Sequence, residues 1–229
     1  FNHYNPDASR YPNLSPAHIV ERCEASLERL GVETIDVYLL HFVDQLTPIA
    51  DVAETMERLR SQGKIRHFGA RLDFATEVRD CLSNTGSEVL EVLFNVFHQD
   101  VRRAFDVVRE HDAGIITKVP LDSGWLTGRF DANSRFEGIR ARWSEEEITR
   151  RAALVSDIDW LVADGSELAH KAIGYLLSYD EVSCVIPGAS RESQLISNLS
   201  AIDENPLTDQ QMEGISEIYR RLIKAHVHH

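Results

Sequence analysis

The chain is short of positive charge, of cysteine and of long apolar runs. Its 24 lysines and arginines stand against 37 aspartates and glutamates, a formal net charge of −13 at pH 7 with histidine neutral. Nucleic acid and anionic membrane surfaces select for basic patches, so neither is an expected partner. No apolar run approaches the roughly 20 residues of a membrane-spanning helix, and no secretory leader is visible. The three cysteines, Cys23, Cys81 and Cys184, are far apart and unpaired in pattern, and no metal site is expected. Cys23 and Cys184 sit among apolar residues, which predicts buried free thiols in a reducing, cytoplasmic compartment. No glycine-rich dinucleotide fingerprint follows any expected strand, which ranks a doubly wound open sheet as a runner-up only.

What remains is ordinary for a soluble globular chain: 43% hydrophobic and 27% charged over 229 residues, enough for one substantial core and a single domain over 1–229. Ser15-Pro16 predicts a helix start, with Ile19, Cys23, Leu27 and Leu30 at helical spacing and Gly31 as the stop. Ile35–His41 is a continuous apolar run, as expected of a strand buried on both faces. Thr47-Pro48 repeats the cap-plus-proline device before the stripe Ile49, Val52, Met56 and Leu59, and Gly63 ends it. Strands follow at 64–70, 89–95 and 115–119, separated by helices at 74–82 and 102–111. After an interruption at 120–144, in which Trp125, Phe130, Phe136 and Trp143 alternate with Arg129, Arg135, Arg140 and Arg142, two helices at 145–163 and 166–178 precede a last strand. Thr208 with Gln211 predicts a capping box for the terminal helix. Five strands, each separated from the next by helix, imply right-handed βαβ units and a parallel sheet. Functional-looking residues at the strands' C-terminal ends point to a (β/α)8 barrel.

The stretch 182–198, VSCVIPGASRESQLISN, carries most of the functional signal. It reads as a short strand, a Pro187-Gly188-Ala189 turn and a helix opened by Ser190. The free N–H groups of a helix start favour phosphate. Gly188 has no Cβ to keep a ligand away, and Arg191 adds a planar charged fork. Gln194 and Asn198 lie on the same helical face as Arg191, placed to read an adenine edge. A tight turn into an ordinary surface helix explains such a segment equally when it stands alone.

The order of residues in IPGASRESQLISN resembles the last barrel strand and loop of aldo-keto reductases, which hold the adenosine 2′-phosphate of NADPH. SLERLGVETIDVYLLH resembles that family's fourth strand, RLRSQGKIRHFGA its fifth, and VPLDSGWLTGRF the loop after its seventh. Together these cover almost the whole chain. The resemblance implies an NADPH-dependent reductase of aldehydes or ketones with His41 polarising the substrate carbonyl. It places Leu121 and Ser123 on the pyrophosphate, and Gly188, Ala189, Ser190, Arg191, Gln194 and Asn198 on the adenosine 2′-phosphate end.

It also places Phe1 just after the family's third strand, so that strands four to eight of the barrel are matched. The Asp, the proton-donating Tyr and the Lys of the family's early strands have no counterpart here: Tyr4 and Tyr11 lie too late, and Tyr38 is in mid-strand. The 229 residues alone are therefore expected to be inactive. Within the matched part, Arg71, Leu72 and Asp73 replace the family's Ser-Asn pair, Glu91 replaces a Gln and Lys118 a nicotinamide-stacking ring. A carboxylate at 91 accepts a hydrogen bond but does not donate one. Three readings stay open: the reductase, a non-catalytic dinucleotide-binding or regulatory homologue, and a barrel lyase using Lys118 as a Schiff base.

Overall fold

A computed structural model describes residues 2–4, 10–41, 47–138, 141 and 143–223; Arg140 and Arg142 fall outside them. In chain order the elements are β1 (Asn2–Tyr4), β2 (Arg10–Pro12), α1 (Pro16–Leu30), β3 (Ile35–His41), α2 (Ile49–Ser61), β4 (Ile65–Leu72), α3 (Ala75–Thr85) and β5 (Val89–Leu93). There follow α4 (Phe105–Glu110), β6 (Gly114–Lys118), α5 (Glu145–Ser156), α6 (Leu168–Leu177), β7 (Val182–Val185), α7 (Glu192–Ser200) and α8 (Asp209–Ile218). β1 and β2 form a small antiparallel pair, and the expected five strands form one parallel α/β sheet in the order β3-β4-β5-β6-β7. The chain divides into two compact units, 1–93 with 100–116 and 94–99 with 117–229, and the division falls inside β6.

In the first unit, local signals set the helices. Pro16 occupies the first turn of α1, and Gly31 closes it at φ +66°, a left-handed position that costs glycine little. The Ser15 hydroxyl does not cap that helix; the Ser15 N–H donates instead to Asn13 Oδ1 at 3.0 Å. Pro48, expected inside α2, stands one place earlier as its N-cap, and Val52, Met56 and Leu59 form the buried stripe. Ile19, Leu59, Ile65, Phe68 and Leu90 are at most 1% exposed, and each such side chain contributes about 1.5–3 kcal/mol on burial. β4 and β5 approach so closely that a Cβ on Gly69 would lie 1.5 Å from the Val89 carbonyl oxygen.

The expectation of a strand buried on both faces fails for β3. Tyr38 and Leu40 are buried, while Val37 on the alternate face is 40% exposed. Strand side chains alternate between faces, and β3 has packing on one of them; it also ends the sheet order.

In the second unit, the described residues of the 120–144 interruption are anchored. A 3-10 turn, Asp122–Thr127, leads into an aromatic cluster in which the Trp125 ring lies 5.5 Å from Phe130, 5.7 Å from Phe136 and 5.9 Å from Trp143. The expected helix at 145–163 is α5 followed by a separate 3-10 turn, Asp159–Val162. In α8 the expected capping box is present: Gln211 N–H donates to Thr208 Oγ1 at 3.2 Å and Thr208 N–H to Gln211 Oε1 at 2.9 Å. Cys23 and Cys81 are buried free thiols, but Cys184, expected to be buried, is exposed. Its apolar neighbours do not cover it because β7 is the terminal strand of the sheet order, and its burial is intermediate at best. No helix among the described residues is long and apolar enough to cross a membrane.

Candidate functional site

In the first unit the parallel pairing sets three residues in a row. His41 at the end of β3 is the register partner of Arg71 on β4, which is the partner of Glu91 on β5. Register partners lie about 4.8 Å apart across the sheet and project to the same face. An imidazole, a guanidinium and a carboxylate thus lie in one row, at the C-terminal end of β3, next to that of β4 and in the middle of β5. Arg71 also faces Asp73 Oδ2 at 3.5 Å. Tyr38 is on the opposite face of β3 from His41, and burial pushes its phenol far above the usual value.

In the second unit, β6 leads into a strained turn. Lys118 is buried, and Val119, Asp122 and Ser123 take positive φ of 54°, 44° and 58° without being glycine. Each such residue costs of order 1–3 kcal/mol. Tertiary bonds offset the strain. Asn95, fully buried, donates from Nδ2 to the Val119 carbonyl at 2.9 Å and accepts on Oδ1 from the Phe97 and His98 N–H groups. Asp122, 4% exposed, receives Arg151 Nη1 on Oδ2 at 2.6 Å and faces His98 Nε2 across 3.5 Å from Oδ1. Sequence reading missed Asn95, His98, Asp122 and Arg151; no local pattern links residues so far apart.

After β7 the helix starts later than expected, with Arg191 rather than Ser190 as the N-cap of α7. Ser190 instead gives its N–H and its hydroxyl to Gln194 Oε1, at 2.8 and 3.1 Å. The Gln194 carbonyl therefore clamps the turn, which leaves its NH₂ group as the donor toward a ligand. Leu121, Gly188, Gln194 and Asn198 line one cavity of about 300 Å³. Asn198 is 8% exposed, and its Nδ2 has no hydrogen-bond partner among the described residues. A buried amide donor left open onto a cavity fits a polar ligand edge that would accept from it. Gly188 meets nothing within 4 Å where a Cβ would stand, so the backbone is open to close approach. Ala189, Ser190 and Arg191 are exposed beside this cavity's turn without lining it; Arg129, Glu167 and Ser197, which sequence reading did not single out, do line it.

The wall formed by Glu167 and Ser197 is itself tied down. His170 Nε2 is 3.0 Å from Ser197 Oγ, and His170 Nδ1 is 2.6 Å from Glu204 Oε1. Those distances suit a nucleophile relay. However, the Ser197 hydroxyl donates to Glu167 Oε2 at 3.2 Å. Ser197 also sits within α7, where backbone N–H groups are consumed by the helix and supply no oxyanion donors. The group clamps α6 to α7.

Comparison with known proteins identifies the family. The model of the aldo/keto reductase family matches residues 4–220. A probable voltage-gated potassium channel subunit beta of Arabidopsis thaliana is 32% identical over 214 residues, covering 85% of this chain and 64% of that protein. An NADH-specific methylglyoxal reductase of Escherichia coli (strain K12) is 27% identical over 208 residues, covering 87% and 64%. The chain thus spans just under two thirds of the length of these two relatives. A glycerol dehydrogenase structure from Gluconobacter oxydans superposes with a TM-score of 0.82 at 22% identity, over 97% of this chain and 71% of that one, which shows a shared fold. With the family model matched over nearly its whole length, the chain belongs to the aldo/keto reductase family.

Proposed function

We propose that the chain serves in an oxidoreductase that reduces small aldehydes or ketones to alcohols with NADPH. The observation that supports this reading best is the cavity beside the β7–α7 turn, where the Asn198 amide has a donor to spare and Gly188 leaves room for a ligand. When bound, the cofactor supplies hydride.

This chain's residues bind the cofactor and orient the carbonyl, while the proton that completes the alcohol comes from a donor that these residues do not supply. Gln194 and Asn198 read the adenine edge, and Gly188, Ala189, Ser190 and Arg191 take the 2′-phosphate. Leu121 and Ser123 lie along the pyrophosphate, and the nicotinamide contacts that the resemblance implies are assigned to Glu91 and Lys118. His41 donates a hydrogen bond to the carbonyl oxygen as negative charge develops on it. We further propose one barrel-type domain over 1–229 and a reducing, cytoplasmic location, the latter from the free thiols.

The test is cofactor selectivity. A charge-assisted hydrogen bond contributes roughly 1.5–3 kcal/mol, on the order of ten- to a hundredfold in affinity. Arg191→Ala should raise the NADPH dissociation constant by that factor, followed by nucleotide fluorescence, and leave NADH nearly unchanged. Equal losses for both cofactors would remove the preference for NADPH, a live outcome because the Escherichia coli relative is named as NADH-specific.

A second reading, a regulatory nucleotide-binding subunit without turnover, draws on the name of the Arabidopsis relative. Binding of NADPH without reduction of any reactive aldehyde by the whole protein would favour it. The 229 residues by themselves are expected to be inactive: Tyr38 faces away from His41 in a buried site, and the resemblance assigns no other proton donor. Robust turnover by these residues alone would overturn the placement of Phe1 after the third strand.

A further inference from the structure

We propose that Arg151 is a positioning residue for the pyrophosphate-facing turn, acting through the Asp122 carboxylate. The inference rests on the cofactor reading above. Among residues 119–123, three take positive φ without being glycine, so local preference opposes this backbone and tertiary contacts must hold it. Two contacts do so. Asn95 Nδ2 fastens the Val119 carbonyl at the start of the turn, and Arg151 Nη1 fastens Asp122 Oδ2 at 2.6 Å near its end. Leu121, which lines the cavity with Gly188 and Asn198, lies between the two ties, and Ser123 directly follows the second.

Arg151 is suited to such a role because it is itself held. It projects from α5, and its guanidinium carbon lies 5.2 Å from the centre of the Trp143 ring, which belongs to the aromatic cluster around Trp125. A planar guanidinium stacked on an aromatic face and bonded at one edge has little freedom left. His98 faces the other carboxylate oxygen at 3.5 Å, too long for a strong bond, so Arg151 makes the principal tie. Loss of that tie leaves a buried carboxylate poorly paired, which favours relaxation of the turn toward ordinary φ and displacement of Leu121 and Ser123.

The experiment compares two probes on the same chain by calorimetry: NADP⁺, which carries a pyrophosphate, and adenosine 2′-monophosphate, which does not. Arg151→Met should weaken NADP⁺ about tenfold, the scale on which preorganisation acts, and leave the monophosphate unchanged. Arg151→Lys should recover part of the loss, and Arg151→Met with Asp122→Asn together should be no weaker than the worse single variant, since both remove one tie. If Arg151→Met does not fold, the near-isosteric Asp122→Asn carries the same two-probe comparison. Equal weakening of both probes would assign Arg151 to general stability, and unchanged NADP⁺ binding would end the proposal. Failure of the unsubstituted chain to bind either probe would overturn the cofactor reading instead.

Discussion

His41 and Arg71 are register partners on adjacent parallel strands, so the proposed carbonyl-polarising imidazole stands beside a guanidinium rather than beside a neutral amide. Glu91 is the next residue in that row. Whatever substrate His41 contacts, its loss belongs in the transition state, because the imidazole is assigned to the carbonyl and not to the cofactor. In protein that turns over a carbonyl compound, His41→Ala should lower kcat by about 100-fold, with little change in the NADPH dissociation constant. Steady-state kinetics beside a fluorescence titration would check this, and unchanged turnover would return His41 to a structural role.

Gly69 is where β4 comes nearest to β5. A methyl group there would collide with the Val89 carbonyl, which is backbone and has no rotamer to give. Gly69→Ala should therefore cost about 3 kcal/mol or more of stability, read as a lower urea midpoint. A midpoint within experimental error of the unsubstituted chain would show that the two strands separate easily.

The carboxyl of Asp164 is held well below the usual carboxylate range, first by the Ser166 hydroxyl, then by the Ser166 N–H and the Lys171 ammonium. The bonds are 2.6, 3.0 and 3.0 Å. A depressed folded-state value stabilises the fold above the unfolded-state value of about 3.9, and that contribution fades as pH falls from there through the folded value. Asp164→Asn should lower the urea midpoint at pH 7 and reduce the drop in midpoint between pH 7 and roughly pH 3. Parallel pH profiles for the two proteins would contradict the assignment.

Thiol reactivity should separate the three cysteines. Burial raises the Cys23 and Cys81 thiols, and in Cys81 hydrogen bonds with Ser87 and Thr85 offset only part of that shift. Cys184 is exposed on β7. Because the thiolate is the reactive form, a disulfide reagent at pH 8 should label Cys184 in the native protein and the other two only after unfolding. Rapid labelling of Cys81 would mean that α3 opens readily.

The sequence by itself determined the features that depend on near neighbours. Proline and glycine bounded α1, Thr208 with Gln211 capped α8, and the alternation of strand and helix gave the parallel sheet. The motif order also placed Leu121, Gly188, Gln194 and Asn198, and the structure gathers these four around one cavity. The helix bounds, the cap and the sheet follow from backbone preferences or periodicity over a few residues, whereas Leu121 was singled out only by the resemblance to the family. Tertiary structure decided what depends on distant partners. Apolar neighbours of Cys184 suggested burial, but strand order left it exposed. Ser190 looked like a helix cap until the Gln194 side chain folded back onto it and moved the start of α7 to Arg191. The strained turn after β6 depends on Asp122 meeting Arg151, 29 positions away, and Val119 meeting Asn95, 24 positions away. Such pairings arise only when packing brings separate elements together, because no local preference favours left-handed backbone at Val119.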